Sequence, residues 1–187
     1  MALKATIFKS ELQITDLDHD YYQAHALTLA RHPSETDERM MVRLLAFAQH
    51  ASETLAFTRG LSTVDEPDLW QLGPAGNIEL WIDLGQPDER RIRKACSKAR
   101  QVCIYCYSGH SAALWWERLA GRLGNLRNLG VINIPPATSQ AIPASGMASS
   151  SGSIAISTSQ GNTNTARELI FCSSCRISIS SLSRFGG

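Results

Sequence analysis

Asp83 lies near the end of the apolar stretch Ile78-Glu-Leu-Trp-Ile-Asp-Leu84, and a segment loaded with arginine and lysine begins just beyond it. Within that stretch Ile78, Leu80, Ile82 and Leu84 alternate with Glu79, Trp81 and Asp83, the period-two pattern of a strand with two distinct faces. A carboxylate carried into a core is costly to desolvate unless a cation or a metal ion compensates it. The bland reading of Asp83 is an acid paired with Arg39 or with the helix that follows; the functional one is a metal ligand. Glu79 shares the face of Asp83, but four strand residues span roughly 13 Å, too far for both acids to grip one ion without a bulge. The next chemistry-bearing group is Arg90, Arg91, Arg93, Lys94, Lys98 and Arg100, uninterrupted by any acid after Glu89. On a helix this cluster occupies the broad face opposite Ile92, Cys96 and Ala99, where it is either solvated or set against nucleic-acid phosphates.

The other reactive types give weaker signals. Five cysteines, an odd number, do not make a disulfide framework. Cys172 and Cys175 form a lone C-x-x-C with neither a second pair nor a histidine at ligand spacing, so zinc is not expected there. Trp115 and Trp116 point in two directions on their helix, one toward the core and one toward its rim, and base stacking is a weak alternative. His32 stands before a helix cap and is not a ligand candidate.

These side chains need elements to carry them. Residues 3–14 alternate loosely and read as a strand, Asp16-Leu-Asp-His-Asp20 as a turn, and residues 21–31 as an antiparallel partner or a short helix. The first clear helix begins at His32-Pro-Ser-Glu-Thr-Asp-Glu38, with Ser34 as its N-cap and acids in its first turn. Its apolar stripe of Met41, Leu44, Leu45, Ala48 and Leu55 runs to about residue 56. A strand over 57–64 ends at Asp65-Glu-Pro-Asp68, and Gly73-Pro-Ala-Gly76 turns the chain into the strand 77–84. A helix over about 88–100 leads into Val102-Cys-Ile-Tyr-Cys-Tyr107, an apolar run typical of a strand covered on both faces. A helix over 111–123 and a strand over 129–134 complete the order. The pattern predicts an α/β fold, a central mixed sheet flanked by helices with at least one right-handed crossover.

At 187 residues the chain suits one domain, assigned to 1–136, followed by a serine-rich segment over 137–187 expected to give edge strands or little ordered structure. The net charge of +1 exerts no global pull toward nucleic acid, so any electropositive surface must be local. No apolar run approaches the roughly 20 residues that span a bilayer, and the first residues lack the layout of a signal peptide. A cytoplasmic location without membrane contact is expected.

Four stretches together carry a family resemblance: Met1-Ala-Leu-Lys-Ala-Thr-Ile, Leu29-Ala-Arg-His-Pro-Ser-Glu-Thr-Asp-Glu-Arg-Met-Met41, Phe57-Thr-Arg-Gly60 and Leu84-Gly-Gln-Pro-Asp-Glu-Arg-Arg91. The chain resembles the YaeQ family of small bacterial proteins, densely from residue 1 to about 136. The resemblance implies a restriction-endonuclease-like variant, the PD-(D/E)-x-K nuclease fold, with a core over about 34–107. It implies Mg²⁺ held by Glu38 from the helix, Asp68 of Pro67-Asp68, and Asp83 at the strand end, with nucleic acid as substrate. The lysine of the third motif position falls on Gly85. Lys94 or Arg91, reaching over from the next helix, would then substitute, and lysine is closer to that chemistry because arginine keeps its proton. Arg90, Arg91, Lys94 and Lys98 become the expected nucleic-acid contacts. The alternative is a catalytically inactive module that binds nucleic acid or a protein partner in a regulatory role.

Overall fold

The computed structural model describes residues 5–16, 21–60, 63, 65–136, 139, 152–157, 167–168 and 170–185; side chains are described over 5–14, 21–60, 63, 65–136 and 139. The elements run β1 (Thr6–Asp16), β2 (Tyr21–Arg31), α1 (Asp37–Gln49), β3 (Leu55–Phe57), β4 (Leu69–Leu72), β5 (Ile78–Leu84), α2 (Glu89–Lys98), β6 (Ala99–Cys106), α3 (His110–Leu123), β7 (Leu129–Asn133), β8 (Gly152–Ser157), β9 (Arg167–Glu168) and β10 (Ile170–Phe185). They build two sheets, one in the order β2-β1-β10-β8 and one in the order β3-β4-β5-β6-β7-β9. The first is antiparallel throughout. The second is mixed: β3, β4 and β5 are antiparallel, while β5, β6, β7 and β9 run parallel. The α/β class expected from the sequence is the one observed.

The helix α1 lies between the sheets. Every residue from Met40 to Ala48 is buried, and these pack with Phe8, Leu12 and Leu29 on one side and Leu80, Ile82 and Tyr105 on the other. On the far face of the mixed sheet, Ile92 and Ala95 of α2 and Ala112, Trp115 and Leu123 of α3 cover Trp81, Val102 and Ile104. β5 is therefore covered on both faces, and truncating fully buried Ile82 to alanine is expected to cost about 2–5 kcal/mol.

Local chemistry fixes the helix ends. Thr36, not Ser34, caps α1: its hydroxyl accepts from the Arg39 N–H at 3.2 Å, while Ser34 is engaged with His32 Nδ1 at 2.6 Å. α1 stops at Gln49 rather than near 56, and of the described residues in the strand expected over 57–64 only Phe57, the last residue of β3, lies in a strand. Asp88 caps α2 by accepting from Arg91 N–H at 2.7 Å, with Glu89 in the first turn and Lys98 in the last, as the helix dipole favours. At the other end, Asn128 donates to the carbonyls of Cys96 and Ala99 at 2.9 and 3.0 Å, satisfying acceptors the helix leaves open.

The serine-rich segment contributes two edge strands, β8 and β9, and one inner strand, β10. β10 pairs with β1 from Ile7 opposite Phe185 to Asp16 opposite Cys175 and with β8 on its other side. Ladder hydrogen bonds come from the backbone, so a strand needs few large apolar residues once neighbours flank it, and Ile177-Ser-Ile-Ser180 keeps the period-two alternation. The side chains of Cys172 and Cys175, the C-x-x-C pair, lie outside the described residues. No helix among the described residues is long and apolar enough to cross a membrane.

Candidate functional site

The carboxyl end of β5 is where the candidate acids gather. Asp83 faces α2 beside Trp81 and is 4% exposed at its side chain. The Asp68 N–H donates to the Ile82 carbonyl at 2.9 Å, which sets Asp68 beside the end of β5. Its carboxylate, 6% exposed, accepts from the Leu84 N–H at 2.8 Å. The two acids are close enough for Asp83 to help raise the Asp68 pKa. Glu38 takes a different partner: Ser139 Oγ donates to its Oε1 at 2.6 Å. Glu38, Asp68 and Glu35 all act electrostatically on the Tyr107 hydroxyl, whose pKa is raised first of all by burial.

Each central carboxylate is closed by an arginine. Arg91 donates from Nε to Asp83 Oδ2 and from Nη2 to Oδ1, both at 2.8 Å, in a two-pronged fork. Its Nη2 also donates to the Glu66 carbonyl at 2.8 Å, and its guanidinium lies 6.0 Å from the centre of the Trp81 ring. Arg39 Nη2 straddles the Asp68 oxygens at 2.7 and 2.9 Å. Even so, burial outweighs Arg39 and pushes the Asp68 carboxyl up to about 6. The Asp83 carboxylate, conversely, holds the Arg91 proton more tightly than usual.

Lys94, one turn further along α2, does not meet these acids. It pairs with Asp65, whose pKa it lowers by hydrogen bonding. The side chain reaching Asp83 is thus Arg91, the residue whose backbone N–H also donates to the Asp88 cap. Gly85, at the expected lysine position, has φ +95 and nothing within 4 Å of where a Cβ would sit. A lysine there would find space but a backbone conformation that side chains disfavour.

A divalent cation fits this arrangement poorly. Mg²⁺ and its relatives need oxygen lone pairs converging in a shell of about 2.0–2.6 Å, yet the oxygens of Asp68 and Asp83 face guanidinium groups. Among the described residues, no group of three or more His, Cys, Asp or Glu side chains is arranged to hold a metal ion. No carboxylate oxygen is among their buried atoms lacking a hydrogen-bond partner; the unpartnered atoms at this cluster include Arg39 Nη1 and Trp81 Nε1, both donors and neither a ligand for a cation.

Above the cluster stands a basic layer. From Asp88 to Arg127, spanning α2 and α3, nine lysines and arginines face three acids, against +1 for the whole chain. Arg90, Arg93, Lys94, Lys98 and Arg100 are exposed, as are Arg118, Arg122 and Arg127. Some of this charge is internally paired: Arg93 and Arg122 share Glu89, and Arg100 meets Glu79 at 3.3 Å. Trp115 is buried, donating to the Pro87 carbonyl at 3.1 Å, and Trp116 is partly buried beside it. Neither tryptophan is among the exposed large apolar side chains, so the layer offers charge rather than a stacking surface.

The sequence singles out Glu38, Asp68 and Asp83, ranks Arg91 behind Lys94, offers Arg39 only as a partner for Asp83, and gives no role to Glu66, Tyr107 or Ser139. Arg39 adjoins Glu38 and was the one available clue, because a cation beside a candidate acid is a candidate clamp.

Comparison with known proteins agrees with the fold. A family model described as YaeQ protein matches residues 1–168. The YaeQ protein of Salmonella typhi is 51% identical over 131 residues, covering 70% of this chain and 72% of that protein. The Escherichia coli (strain K12) YaeQ protein is 50% identical over the same length, with the same coverage. The crystal structure of the YaeQ protein from Xanthomonas axonopodis pv. citri matches with a TM-score of 0.73 at 39% identity, covering 97% of this chain and 98% of that one. The YaeQ protein from Pseudomonas syringae matches with a TM-score of 0.67 at 27% identity, covering 95% and 97%. Half-identical sequences and a shared backbone path point the same way, and this chain belongs to the YaeQ family.

Proposed function

We propose that the protein is a restriction-endonuclease-like module of the cytoplasm that binds the phosphate backbone of nucleic acid through its α2–α3 layer, without Mg²⁺-dependent cleavage. The observation that carries this reading is the segregation of charge: nine basic residues against three acids over Asp88–Arg127 in a chain of net charge +1. Backbone binding needs only such a surface, because neutralised phosphates release condensed counterions whatever the base sequence. The buried Trp115 and partly buried Trp116 on the same layer favour recognition of the backbone over stacking on bases.

The test is fluorescence anisotropy with labelled duplex and single-stranded oligonucleotides over a range of salt. Wild type should bind with a strong salt dependence. Arg90→Glu with Lys98→Glu should weaken binding on the order of tenfold and make the log–log salt slope shallower by about 2. Equal affinity in wild type and variant, or no binding at low salt, would refute the reading and leave a protein partner as the alternative.

A second reading, Mg²⁺-dependent phosphodiester hydrolysis, draws on the proximity of Asp68 and Asp83. It requires Arg39 and Arg91 to leave their carboxylates and Glu38 to leave Ser139. Metal-dependent cleavage by wild type that vanishes in Asp83→Ala, with the fold intact, would establish it over the first.

A further inference from the structure

We infer that Arg39 and Arg91 stand where divalent metal would be expected, closing Asp68 and Asp83 into a metal-free clamp that pins α1 and α2 to the carboxyl end of β5. The inference does not depend on nucleic-acid binding.

Four observations support it. First, the geometry is that of finished ion pairs rather than of acids awaiting a ligand. Arg91 presents two nitrogens to two oxygens of Asp83 at 2.8 Å each, the planar match that makes guanidinium–carboxylate pairs specific. Second, both carboxylates are almost wholly withdrawn from water, at 6% and 4% exposure, so each needs compensation in the folded protein at all times. A cation that came and went would leave them uncompensated in between.

Third, Arg91 is held by more than Asp83. Its contact with the Glu66 carbonyl ties down the segment before β4, and Trp81 lies beneath it. Displacing Arg91 for a metal would forfeit these together. Fourth, the clamp joins four parts of the chain. Asp68 holds Arg39 of α1 and the Leu84 N–H of β5, while Asp83 of β5 holds Arg91 of α2. Arg91 is also the residue whose N–H the Asp88 cap accepts, so the clamp and the cap fix the same turn of the basic helix. The cluster therefore serves as a positioning device for α2.

The experiment has two arms on the full-length protein. In the first, wild type freed of metal is titrated with Mn²⁺ and followed by calorimetry and by electron paramagnetic resonance of the free ion. No saturable site is expected, and EDTA should leave the melting temperature unchanged. Saturable binding of one or more equivalents that disappears in Asp83→Asn would overturn the inference. In the second arm, Arg91→Met should lower the melting temperature on the order of 10 °C by orphaning a buried acid. Adding Asp83→Leu to Arg91→Met should recover at least half of that loss, since the orphaned charge is gone. An unchanged melting temperature in Arg91→Met, or no recovery in the double variant, would count against the clamp. If Arg91→Met alone does not fold, the Mn²⁺ titration of wild type still decides the question.

Discussion

The two faces of the mixed sheet are covered by helices that handle charge in opposite ways. α1 is buried without a break from Met40 to Ala48, and even Arg43 within that run is enclosed. Arg43 pairs with Glu35 at 3.2 Å, the two side chains 4% and 3% exposed, and donates to the Ala30 carbonyl at 3.0 Å. α2, by contrast, buries Ile92 and Ala95 and leaves Arg90, Arg93, Lys94 and Lys98 to the outside. A helix packed between two sheets must neutralise each of its charges within the protein. A helix covering one sheet from outside need settle only the charge that faces inward, here Arg91, and keeps the others for solvent or a partner. The clamp at the end of β5 is where both regimes meet.

The sharpest break in this comparison should come from the α1 side. Arg43→Ala leaves Glu35 buried and unpaired and is expected to lower the unfolding free energy by about 3–5 kcal/mol in chemical denaturation. Arg43→Met combined with Glu35→Gln should restore much of it, because the cost lies in the orphaned charge rather than in lost packing. An exposed basic residue on α2 treated in the same way should give no comparable loss.

A smaller effect follows from pH. His50, just past the end of α1, meets the Tyr105 hydroxyl at 2.9 Å, and burial pushes its pKa down to about 4. Between that value and the usual histidine value near 6.5, the unfolded chain binds more protons than the folded one, so stability falls as pH drops through this window. The contribution of His50 should reach about 3 kcal/mol at most by pH 4. Denaturation midpoints measured from pH 7 to 4 should show a shallower decline in His50→Gln. An identical slope in the two proteins would remove His50 as the cause.

The helix caps give a finer test. Asp88→Ala should cost about 1 kcal/mol, and Thr36→Ala about the same or less. The Asp88 change should also loosen α2 where Arg91 enters the clamp, visible as faster amide exchange in residues 89–92 than wild type shows. The smallest stability effect belongs to Arg90→Glu with Lys98→Glu, expected to stay within about 0.5 kcal/mol per site because both positions are exposed. A large loss of stability there would show that the outer face of α2 is structural after all.

Much of the fold was legible along the chain because its signals are local. The alternation in Ile78–Leu84, the apolar run of β6 and the stripe of α2 each announce their element within one short window, and the structure places them there. The end of α1 was not legible: the apolar stripe continues through Leu55, but that residue opens β3 instead. The start of α1 turned on which of two hydroxyl residues, Ser34 or Thr36, was free to cap, and the engagement of Ser34 with His32 decided it. The inner position of β10 had no local sign, because pairing with β1 joins opposite ends of the chain.

The sequence by itself determined that an acid would sit near the end of a core strand, and that a helix with one basic face would follow it. Those outcomes depend on residue periodicity and capping, which neighbouring residues set. Only the tertiary structure decided which cation meets which acid. Arg39 and Asp68 lie 29 residues apart, and Arg91 rather than Lys94 reaches Asp83 because the rotation of α2 against β5 points that side chain inward. An ion pair is made or lost over an ångström or two, a distance fixed by how whole elements pack and unmarked in any short stretch of sequence.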